Sequence, residues 1–89
     1  MGYDTIARVL VKEYGSQYHL ELRKTSDYKG CTIYRMFNVY DLDFPKCEDM
    51  RGFVSYTDID EALMAFEKVC GGKLSDEYIE CIKRKIGNK

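Results

Sequence analysis

The chain has 89 residues, 45% of them hydrophobic and 33% charged, with 14 basic and 15 acidic side chains for a net charge of −1. That length is short for two domains, so a single domain over residues 1–89 is expected, and the hydrophobic share with near-zero net charge excludes a disordered chain. The balance also argues against a generic nucleic-acid binder, which carries a marked basic excess, and no apolar run, Val9 to Val11 included, approaches the length of a transmembrane helix.

The first half reads as strands. Thr5 to Tyr14 is rich in β-branched residues, with Ala7, Val9 and Val11 on one face and Ile6, Arg8, Leu10 and Lys12 on the other. Gly15-Ser16 supplies a turn. Gln17 to Thr25 then alternates Tyr18, Leu20 and Leu22 against His19, Glu21 and Arg23, the mark of a strand with one covered face. After a second turn at residues 26–30, Cys31 to Leu42 is the longest strand candidate. Cys31, Ile33, Phe37 and Val39 share one face, and Thr32, Tyr34, Met36, Asn38 and Tyr40 share the other. Asp43 to Met50 holds the only proline and several charges and reads as a loop, with a short strand expected at Gly52 to Tyr56.

The period then changes from two to 3.6. Thr57 or Asp58 caps a helix whose stripe is Ile59, Ala62, Leu63, Phe66, Val69 and Cys70, and Gly71-Gly72 ends it. Ser75 caps a second helix with Asp76 and Glu77 in its first turn and Lys83, Arg84 and Lys85 near its end, each sign matched to the helix dipole. The expected fold class is therefore α+β: an antiparallel meander of three to four strands followed by two C-terminal helices. The helices are expected on the face made by Ala7, Val9, Val11, Leu20, Leu22, Ile33, Phe37 and Val39.

Little here suggests catalysis. The cysteines at 31, 47, 70 and 81 form no CxxC pair, so a zinc site has no starting point. Cys31, Cys70 and Cys81 read as small core residues and Cys47 as a loop thiol. Met1-Gly2-Tyr3-Asp4 shows no basic region followed by an apolar run, so no signal peptide is expected and the thiols are read as reduced, in the cytoplasm. His19 is the sole conventional base, and no phosphate-binding or nucleophile motif is present. The chain is expected not to be an enzyme and to need no cofactor or metal.

Two surfaces stand out instead. The sheet face left open by the helices is expected to present Tyr34, Met36 and Tyr40, residue types that give large contact area at interfaces. The second is Tyr40 to Arg51, where Asp41, Asp43, Glu48 and Asp49 surround Phe44. Residues 41–61 carry seven acidic and two basic side chains, against six basic and four acidic in each flanking part of the chain. Acid around an aromatic suits docking on a basic protein surface.

A strand meander leading into a Tyr-Thr-Asp-Ile-Asp-Glu-Ala-Leu helix start resembles small phage and mobile-element proteins, among them anti-CRISPR-type inhibitors. The resemblance lies in layout and transfers no functional residue. It implies a binding inhibitor or adaptor that blocks a nucleic-acid-handling host defence complex, acting in the host cytoplasm. Three expectations follow: a protein partner with a basic surface; alternatively a single-stranded nucleic-acid module stacking bases on Tyr34, Tyr40 and Arg23; or a homodimer joined through an edge strand or the open face. No membrane partner is expected.

Overall fold

The computed structural model describes residues 3–13, 15–40, 47–52, 54–72 and 74–87. Four strands, β1 (Asp4–Glu13), β2 (Ser16–Ser26), β3 (Thr32–Tyr40) and β4 (Cys47–Met50), precede two helices, α1 (Ile59–Cys70) and α2 (Asp76–Gly87). The strands form one antiparallel sheet in the order β1-β2-β3-β4, and the helices cover one face, so the protein has an α+β fold. Helix α1 lies over β2 and β3, and α2 lies over β1.

The β1–β2 pairing places Ala7 opposite Leu22, Val9 opposite Leu20 and Val11 opposite Tyr18, all toward the helices. A bulge between Thr5 and Ala7 adds one residue, so Ile6 and Ala7 both enter the core. The helices contribute Ala62, Leu63, Phe66 and Ile82.

The orientation of β3 differs from the sequence expectation, and the turn before it supplies the reason. Asp27 accepts hydrogen bonds through Oδ1 from the Lys29 and Cys31 amides (2.8 and 2.9 Å), and its carbonyl accepts from Gly30 N–H. Gly30 holds φ at 87°, which costs a residue without a side chain little. This loop sets Ser26 against Thr32, and the register carries through to Leu22 against Met36. Directly opposed residues share a face, so Tyr34 and Met36 join Leu22 under the helices and are only 6% and 7% exposed. Ile33, Phe37 and Val39 point the other way. Because both faces of β3 are apolar, alternation alone could not orient it, and a one-residue change of register inverts every side chain.

Two further expectations are corrected. Residues 47–50, read as loop, form β4. Among the described residues, the expected strand at Gly52 to Tyr56 is reduced to one bridge between Tyr56 and Tyr34, with N–H···O distances of 2.7 and 2.9 Å. The Arg51 amide also donates to the Met36 carbonyl at 2.9 Å, so chain from both segments follows the outer edge of β3.

Helix ends match the sequence more closely. Asp58 is the N-cap residue of α1, although its side chain makes no capping bond. Gly71 takes φ 83°, and the Gly72 and Gly71 amides donate back to the Glu67 and Lys68 carbonyls (3.2 and 3.3 Å), a Schellman closure. Ser75 Oγ accepts from the Tyr78 amide at 3.2 Å and caps α2. The Leu74 amide donates to Glu67 Oε2 at 3.0 Å, and Lys83 pairs with Asp60 at 3.2 Å across the helices.

Candidate functional site: an apolar groove beside α1

The sheet face turned away from the helices is not an open tyrosine surface. Glu21 and Arg23, placed on the solvent side by alternation, are each only 5% exposed. Arg23 Nε and Nη2 reach Glu21 Oε1 at 2.9 and 2.8 Å, and Arg23 Nη2 also bonds Glu48 Oε1. Its guanidinium carbon sits 4.3 Å from the ring centres of both Tyr3 and Phe37. Glu21 further accepts from the Thr5 hydroxyl at 3.3 Å, and Arg8 approaches its other oxygen at 3.7 Å. Burial on its own would lower the Arg23 pKa. Hydrogen bonds to Glu48 and Glu21, with their charges, outweigh it and hold the guanidinium above its ordinary value. Ile33 and Val39 are buried on this side too, outside the main core cluster. An ion cluster clasped between aromatic rings thus occupies the face expected to bind a partner.

The expected site residues separate accordingly. Tyr34 is in the core. Tyr40 is half-buried, its ring 5.5 Å from Tyr18 and its hydroxyl accepting from Asn38 Nδ2 at 3.4 Å. Arg51 Nη1 donates to Tyr18 and Asn38 (3.0 and 3.2 Å) and ties the end of β4 to this cluster. Tyr34, Tyr40 and Arg23 share no surface, since the two tyrosines face the helix side and Arg23 the other. Glu48 and Asp49 are exposed on β4, with Glu48 engaged by Arg23. Asp41, Asp43 and Phe44 lie outside the described residues.

The remaining chemistry is sparse. Cys31, Cys47 and Cys81 are exposed and Cys70 is half-buried, so the reading of Cys31 and Cys81 as core residues is corrected: Cys31 closes the turn into β3, and Cys81 falls off the apolar stripe of α2. Burial, then the charge of Glu67, pushes the Cys70 thiol up from its ordinary pKa. His19 lies beside Arg8, whose Nη2 is 3.3 Å from Nδ1. Among the described residues no three His, Cys, Asp or Glu side chains gather as metal ligands, and no helix is long and apolar enough to cross a membrane.

One concave apolar surface adjoins α1. A groove of about 500 Å³ runs between α1 and the Tyr56 segment. Met36 is part of its lining, with Tyr56, Ala65 and Val69, while Glu61 and Lys68 supply charge about two turns apart along α1. Met64 also lines it and is 65% exposed, an unusual position for a large apolar side chain on an otherwise amphipathic helix. Val54, close by in sequence to Tyr56, is exposed as well. Met64 was legible beforehand as the one large apolar residue of α1 outside the stripe.

No protein-family model matches the chain, and no curated protein or solved structure matches it.

Proposed function

We propose that this chain is a non-enzymatic protein-binding domain, an inhibitor or adaptor, that docks through the groove beside α1. The single observation behind this reading is the groove itself: exposed Met64 stands over an apolar hollow whose other wall is Tyr56. Concave apolar surface with an adaptable methionine is what a partner's aliphatic or aromatic side chain fills, and methionine re-shapes around different occupants. Asp58, Asp60 and Glu61 at the start of α1 are exposed, and Glu61 lines the groove itself, which gives this end of it an acidic character. The favoured partner therefore offers an apolar side chain within a basic surface. Complexes that handle nucleic acid carry such surfaces, which makes a host defence complex a suitable target for inhibition.

Capture from host lysate tests this with three immobilised proteins: wild type, Met64→Glu in the groove and Lys12→Glu on the exposed end of β1. A stoichiometric partner retained by wild type and Lys12→Glu, but reduced tenfold or more on Met64→Glu, is expected. Equal retention on all three contradicts the placement of the site, and no partner on wild type contradicts the function.

A further inference from the structure

Helix α1 carries a self-complementary pattern beside the groove. Glu61, Met64, Ala65 and Lys68 follow one another at offsets of three, four and seven, so they form one row on the helix surface. The row is acidic at one end, basic at the other, and apolar between. We propose that the groove is occupied by α1 of a second copy of this chain, paired antiparallel about a two-fold axis between Met64 and Ala65. The proposal rests on the docking reading above and names the occupant of that same site.

The geometry follows from the spacing. Glu61 and Lys68 stand ~10 Å apart along the axis, equidistant from the centre. A two-fold through that centre sets Glu61 of one copy against Lys68 of the other, twice, while each Met64 meets the other copy's Ala65 and enters its groove. The contact is isologous, with one patch serving both subunits. A parallel arrangement would oppose like charges, so charge selects the antiparallel one. Neither Glu61 nor Lys68 has an ion pair within the chain among the described residues, so both charges are free to pair across the axis. Two helix turns bury less than the ~1,200 Å² of a standard stable interface, so the dimer is a weak one, to be sought at about 1–100 µM protein. In such a dimer the docking groove is covered, and an outside partner competes with the second copy.

Sedimentation equilibrium across that concentration range reads this directly. Wild type should rise with concentration from 10.4 kDa toward twice that mass. Glu61→Lys and Lys68→Glu alone should each weaken self-association tenfold or more, because each sets like charges opposite at both ends. An equimolar mixture of the two variants should form a heterodimer tighter than either homodimer, and the double variant should recover self-association. Circular dichroism melts confirm that each variant is folded. A wild-type monomer at every concentration overturns the proposal, as does a dimer indifferent to the reversals. Either failure leaves the lysate capture with Met64→Glu to decide the docking reading separately.

Discussion

The two sides of the sheet are buried by different means. Toward the helices, Leu20, Leu22, Phe66 and Ile82 are sealed by apolar contact alone. On the reverse, Glu21 and Arg23 are excluded from water nearly as well, but by mutual hydrogen bonds and the rings of Tyr3 and Phe37. The contrast teaches that strict alternation on a strand reports chemical character and not exposure. His19, Glu21 and Arg23 alternate with Tyr18, Leu20 and Leu22 as a solvent face should, yet only His19 of the three retains appreciable exposure. A buried charge is tolerated when it is paired and hydrogen-bonded.

The difference can be broken by mutation, and the largest effects come first. Phe66→Ala should cost about 3–5 kcal/mol by leaving a cavity in the helix-side core, with no dependence on salt. Arg23→Ala should cost a similar ~3–5 kcal/mol, because Glu21 is left buried without its main partner. A value below 1 kcal/mol would make the reverse side an ordinary surface. The double change Arg23→Met with Glu21→Leu should recover most of that loss, since an apolar pair needs no partner; urea titrations of the three proteins check this. Gly71→Ala should cost about 1 kcal/mol at φ 83°, a backbone effect that touches neither side.

Smaller effects sharpen the account at its edges. The Tyr78 hydroxyl accepts from the Arg8 amide at 2.9 Å and faces the Arg8 carbonyl at 3.2 Å, so it blocks part of the free edge of β1. Tyr78→Phe should cost about 0.5–1.5 kcal/mol and speed hydrogen exchange at Arg8. Iodoacetamide at pH 8 should alkylate Cys31, Cys47 and Cys81 ahead of Cys70, whose raised pKa keeps it protonated. Because that pKa is raised on folding, stability from the neutral Cys70 thiol is full below the unfolded thiol value and declines as pH rises through the folded one.

Much of the fold could be read from residue order. The faces of β1 and β2, the cap at Ser75 and the stop at Gly71-Gly72 each follow from strong local chemistry. The face of β3 did not, because Ile33, Phe37 and Val39 compete evenly with Tyr34, Met36 and Tyr40. Only the loop that Asp27 organises breaks the tie, and a loop's conformation is not visible in alternation. Strand β4 was hidden because Cys-Glu-Asp-Met is poor strand sequence; it pairs with β3 on an exposed edge, where charge is no obstacle. The candidate site moved with the register: once Tyr34 and Met36 turned under the helices, the sheet face lost its expected contact residues, and the groove beside α1 became the exposed apolar concavity.

The orientation of β3 therefore decides which face carries the candidate docking surface. A nuclear Overhauser spectrum of methyl-labelled protein tests it directly, through the Met36 methyl group and the Phe37 ring. The Met36 methyl should show cross-peaks to α1 side chains in the core, while the Phe37 ring should show them to Arg23. Cross-peaks from Phe37 to Leu63 and Phe66, with none from Met36 to α1, would contradict the register and return the interaction surface to the sheet.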